Sequence, residues 1–131
     1  MKYLIPLVLI AASGAVLAET PSQIGGAYAA TQGGGYHASA TRGAEFFARK
    51  FNVSEKMPTC ATCHTDNPAQ PGRHAITSKT IKPLAPAANA ERLSDPAKVE
   101  KWFTRNCKEV VGRECNAGEK ADFIAYLATV R

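Results

Sequence analysis

The chain has 131 residues, enough for one domain and too few for several. Its formal charge of +5 is modest and spread along the chain rather than gathered into a run. That balance suits docking to an acidic partner and argues against a nucleic-acid binder.

Met1 and Lys2 form a short positive head, followed by the apolar run YLIPLVLIAASGAVL and the small-residue sequence VLA ending at Ala18. The run is about 15 residues, short of the roughly 20 that cross a bilayer, so it reads as a signal peptide rather than an anchor. Cleavage is expected after Ala18, leaving residues 19–131 as one exported, periplasmic domain. All four cysteines, Cys60, Cys63, Cys107 and Cys115, then lie where disulfides form and persist.

Thr20 and Gln23 have capping-box spacing with Pro21 at the first helical position, so a short helix is predicted there, weakened by Gly25 and Gly26. GGGYH (33–37) reads as a flexible link. Ala44, Phe47, Ala48 and Phe51 recur at helical spacing and predict a second helix with one apolar face. Residues 52–94 scatter prolines and asparagines without a sustained period and read as irregular loop.

Asp95 as N-cap and Pro96 as first residue open another helix, with Val99, Trp102, Phe103 and Val110 on one face and Gly112–Arg113 at its end. Asn116 and Glu119 form a further capping box before Phe123, Ile124, Leu127 and Val130. No convincing alternating strand appears, and the predicted fold is all-α with long loops. A loop as long as 52–94 is usually functional or disordered, so something has to fill the middle of the molecule.

CATCH, Cys60 to His64, is the strongest motif in the chain. Cys-x-x-Cys-His is the attachment signature for c-type haem. Thiols one helical turn apart add across the two porphyrin vinyl groups and carry the adjacent histidine under the iron. Two other readings compete. A thioredoxin-like dithiol expects a βαβ setting. A zinc site would need a second paired Cys-x-x-Cys, which Cys107 and Cys115 do not supply. One covalent haem c on Cys60 and Cys63, with His64 as proximal ligand, is the expectation.

With these residues in view the chain resembles a class I cytochrome c. GAEFF, with Gly43 and Phe47, is similar to that family's N-terminal helix, and EKADFIAYL, with Tyr126, to its C-terminal helix. The resemblance implies that the two helices cross and shield one haem edge. It also makes Pro83, in IKPLAP, the candidate whose carbonyl accepts the proximal histidine's ring N–H.

Most class I cytochromes c bind iron on the far side through a methionine downstream of the motif. Here Met1 leaves with the signal, Met57 precedes Cys60, and none follows His64. His74, His37, a lysine or water remain as candidates for the sixth position. Asn106 is a better one on periodicity: Val99, Trp102, Phe103, Asn106 and Val110 form one stripe, which predicts a core-facing amide. A buried amide without a partner costs on the order of 1–3 kcal/mol, so a partner is expected.

The segment from APAANAERL to FIAYL, and RNC…GREC above all, resembles the oxygen-binding monohaem cytochromes known as sphaeroides haem proteins, or SHP. That resemblance implies Asn106 as distal ligand of the oxidised iron, a Cys107–Cys115 disulfide, and a redox partner cytochrome, with a dihaem c-type donor associated with the family.

An amide oxygen is a neutral, hard donor that suits ferric iron better than ferrous. Reduction is therefore expected to release Asn106 and open the iron to oxygen or nitric oxide. A bridge over so short a loop stabilises by about 2 kcal/mol on the chain-entropy estimate, so positioning Asn106 is its expected task, with an ordinary staple as the alternative. Trp102 and Phe103 are expected to pack on the haem. Lys79, Lys82 and Lys101 are candidates to ring its edge, although solvated surface charge is the default. Two function classes remain open, a gas-binding haem protein and a plain electron carrier.

Overall fold

The computed structural model describes residues 17–131, so the expected signal segment, apart from Leu17 and Ala18, lies outside the described residues. Five α-helices follow in order: α1 (Pro21–Gln32), α2 (Ala40–Ala48), α3 (Ala61–His64), α4 (Pro96–Asn106) and α5 (Ala117–Thr129). Each capping signal in the sequence starts a helix. Thr20 Oγ1 accepts from the Gln23 N–H while Gln23 Oε1 accepts from the Thr20 N–H. Asp95 caps α4 through the Lys98 N–H, and Asn116 and Glu119 cap each other's backbone at α5.

Helix α5 is the axis of the fold, with α1 and α2 both packed along it. Gly25, read as a weakness in α1, is buried against Ile124, and a Cβ there would stand 3.2 Å from Ile124 Cγ2. Gly43 marks a closer approach. A Cβ on it would collide with the Asp122 carbonyl and lie 2.8 Å from Tyr126 Cβ. The Phe47 and Tyr126 rings meet across the same contact, tilted by 52° with centroids 5.6 Å apart. The helix crossing implied by the cytochrome c resemblance is therefore present.

The apolar face of α2 differs from the predicted one. The helix stops at Ala48, Arg49 turns extended (ψ 137°), and the buried positions are Gly43, Phe46 and Phe47, with Ala48 exposed. Phe51 lies beyond the helix yet still packs edge-on to Phe46 at 5.2 Å, because its N–H is held by the Pro58 carbonyl.

The 52–94 segment is ordered by hydrogen bonds rather than shapeless. It contains α3 and a two-residue antiparallel ladder, β1 (Gly72–Arg73) with β2 (Thr80–Ile81), which the sequence reading did not anticipate. Strands this short carry no period to detect. Further along, the N–H groups of Leu84 and Ala85 both donate to the Pro68 carbonyl, at 2.8 and 2.9 Å.

The last turn after α4 is also unexpected. Residues Cys107–Val111 form a π-turn, closed by the Gly112 N–H donating to the Cys107 carbonyl at 3.0 Å, with Gly112 at φ 81° where glycine is favoured. Cys107 and Cys115 are bonded across it, with Cα atoms 5.7 Å apart. Both are buried in the main core beside Phe46, Phe47, Phe123 and Leu127.

Candidate haem-binding site

Helix α3 is a single turn that places Cys60, Cys63 and His64 together. The N–H groups of Cys63 and His64 both point back at the Cys60 carbonyl, at 3.3 and 3.2 Å. Thr59 and Thr62 brace the entry, with the Thr62 N–H donating to Thr59 Oγ1 at 3.1 Å. Both thiols are free. Burial pushes the Cys60 thiol up to about 11. Cys63 Sγ accepts the Ala75 N–H at 3.3 Å. Strand β1 backs the turn so closely that a Cβ on Gly72 would strike the Cys63 carbonyl and stand 3.1 Å from His64 Cα.

Burial, and then the charge of Arg92, push the His64 imidazole down to about 4. It is therefore neutral at physiological pH, the form that can donate a lone pair to a metal. The Pro83 carbonyl accepts from Arg92 Nε (3.0 Å) and Asn89 Nδ2 (3.3 Å), and His64 is not among its partners here. Arg92 Nη2 also donates to the Lys82 carbonyl at 3.1 Å. Gly72, Ala75 and Arg92 were invisible to motif reading, because each acts through contacts distant in sequence.

Asn106 ends α4 and is exposed, with no side-chain hydrogen bond among the described residues. This corrects the expectation of a core-facing position: no protein group among the described residues covers or bonds the amide. Val99 is buried, but the stripe turns outward at Trp102, which is 41% exposed, because no other element among the described residues covers that face. Trp102 and Phe103 therefore part company. Arg105 lies over the Trp102 ring at 5.6 Å, whereas Phe103 is wedged between Tyr28 (5.9 Å) and Phe123 (5.6 Å), partly buried against the core.

His74 is tied into the β1–β2 turn, where its Nδ1 accepts the N–H groups of Ile76 and Thr77, both at 3.2 Å. His37 is exposed, and its carbonyl accepts from Arg42. Lys79, Lys82 and Lys101 are all exposed, with Lys82 Nζ 4.0 Å from Glu91. Among the described residues no three Cys, His, Asp or Glu side chains gather as a metal cluster, which leaves the zinc alternative without further ligands.

The donor set fits a c-type haem: two free thiols a turn apart and an adjacent neutral imidazole. That combination within an all-α fold defines a c-type cytochrome, with haem attached covalently.

Comparison with known proteins narrows the class. The chain is 39% identical to the cytochrome c-type protein SHP of Cereibacter sphaeroides over 97% of both chains. It is 50% identical to cytochrome c'' of Methylophilus methylotrophus over 92 residues, 70% of this chain and 64% of that protein. The solved structure of oxidised SHP, described as an oxygen-binding cytochrome c, superposes with a TM-score of 0.78 at 41% identity, covering 85% of this chain and 97% of that one. Residues 33–127 match the family model described as a domain of unknown function, DUF1924. The chain belongs to this family of SHP-like cytochromes c.

Proposed function

We propose that this chain is a periplasmic haem protein that accepts electrons from another cytochrome and opens its reduced iron to oxygen or nitric oxide by releasing Asn106. Cys60 and Cys63 hold the haem, His64 is the proximal ligand, and Asn106 is the distal ligand of the oxidised state. Haem c supplies a one-electron iron centre whose sixth position can take a small diatomic ligand. Asn106 is suited to a reversible bond because its neutral amide oxygen favours ferric over ferrous iron.

The observation that carries this reading is the contrast between the two polar candidates. Asn106 has an unengaged amide at a helix end, directly before a π-turn, a feature often found at functional sites. His74 already spends its Nδ1 on two backbone donors. The oxygen-binding description of the SHP structure supports the gas ligand. The net positive charge supports an acidic donor surface, with a dihaem c-type cytochrome as the donor the family resemblance implies.

The test is the spectrum of the reduced protein before and after adding carbon monoxide. A five-coordinate, high-spin ferrous form that binds the gas is expected. Asn106→Ala should open the oxidised iron to small anions as well, and His74→Ala should change little. If His74→Ala opens the site and Asn106→Ala does not, the protein is a bis-histidine electron carrier.

A further inference from the structure

Loop 82–85 lies between two anchors. On one side the Pro68 carbonyl, four residues after His64, receives the Leu84 and Ala85 N–H groups. On the other, half-buried Arg92 grips two consecutive carbonyls through a fork, Nε to Pro83 at 3.0 Å and Nη2 to Lys82 at 3.1 Å. Asn89 adds a second donor to the same Pro83 oxygen at 3.3 Å. A carbonyl oxygen has two lone pairs, and here both are taken, one by a charge-assisted bond.

A metal-bound histidine normally gives its other N–H to a carbonyl or carboxylate, which makes the imidazole a stronger donor and favours the oxidised metal. Here the candidate carbonyl is already engaged by a cation. Arg92 is itself half-buried, so its field is less screened than that of a surface arginine.

We propose that Arg92 is a positioning residue on the His64 side of the haem, a cation that holds loop 82–85, occupies the Pro83 carbonyl and biases the iron toward its reduced form. The inference rests on His64 being the proximal ligand. It deepens the proposed function, because the reduced form is the one in which Asn106 is released.

The test is the midpoint potential of the holoprotein, read by spectroelectrochemistry. Arg92→Gln should shift it downward, Arg92→Lys should retain most of the wild-type value, and Asn89→Ala should leave it nearly unchanged. Asn89→Asp keeps Arg92 but sets a carboxylate beside it, and should also shift the potential downward if Arg92→Gln does not accumulate with haem. The downward shift should persist when each substitution is made in an Asn106→Ala background, since its cause lies on the opposite side of the iron. Unchanged potentials in Arg92→Gln and Asn89→Asp would overturn the proposal. So would Arg92→Lys falling as far as Arg92→Gln, or a shift that vanishes with Asn106→Ala. A wild-type ferrous iron that stays six-coordinate defeats the Asn106 reading alone and leaves the potential shifts to judge Arg92.

Discussion

Asp122 offers the sharpest test of how this fold is held. It is 5% exposed, in the middle of α5, and accepts four hydrogen bonds. Tyr36 Oη donates at 2.6 Å, the Ser39 N–H at 2.7 Å, Arg42 Nε at 2.7 Å and Arg42 Nη2 at 2.9 Å. One carboxylate thereby fixes the link before α2, the N-cap of α2 and the α2–α5 crossing. Asp122→Asn keeps the volume but removes the charge and turns one acceptor into a donor facing other donors. Breaking a buried ion pair costs roughly 3–5 kcal/mol. Arg42 is half-exposed and water can re-solvate it, so a loss below that range is expected, about 2–3 kcal/mol.

The pH dependence has a definite sign. Burial alone would raise the Asp122 carboxyl, but the hydrogen bonds from Arg42, Tyr36 and the Ser39 N–H outweigh it and hold the pKa below the ordinary aspartate value. Its contribution is therefore present above the unfolded aspartate pKa, about 3.9, and is lost as pH falls through the lower folded value. Denaturant unfolding of the oxidised holoprotein at neutral pH should show the full loss in Asp122→Asn. Below about pH 4 the gap between variant and wild type should narrow. A difference under about 0.5 kcal/mol at neutral pH would mean the cluster is no more than a surface contact.

Gly43→Ala should destabilise by about 1–3 kcal/mol or more by thermal unfolding, since its Cβ meets α5 backbone that cannot swing aside. Gly72→Ala should act on haem incorporation, because the displaced neighbours are the Cys63 carbonyl and His64; a reduced haem-to-protein ratio on purification is the readout. Replacing Cys107 and Cys115 together by alanine should cost at least about 2–3 kcal/mol on the chain-entropy estimate, with a core-packing loss added, and should alter carbon monoxide affinity as well.

The legible parts of the molecule are those set by neighbours in sequence. Thr20 with Gln23, Asp95 with Pro96, and Asn116 with Glu119 mark helix starts because capping closes within three residues. CATCH is legible for the same reason, a single turn carrying all three groups. What escaped is set by distant contacts. Asp122 reads as one more charge on a surface helix until Arg42 and Tyr36 are brought to it from some eighty residues away. Phe46 replaces Ala48 on the buried face of α2 because Arg49 leaves the helix early. Pro83 was expected to take the His64 ring N–H, but Arg92 and Asn89 donate to its carbonyl instead, and nothing local in the sequence reveals that.

The position of the disulfide changes what it can be for. From spacing alone, a bridge across nine residues looks like a light restraint near a mobile ligand. In the structure both sulfurs lie within the aromatic core, and the π-turn they enclose begins at the residue after Asn106. The backbone that carries Asn106 is therefore continuous with the buried core, while its side chain is exposed. As the releasable ligand proposed above, Asn106 would gain from that arrangement. The rotamer is free to change, but the Cα stays where core packing puts it, so rebinding requires a side-chain movement and no refolding of the helix end. On that proposal, positioning and stapling, separate alternatives in the sequence, do not exclude each other at Cys107 and Cys115.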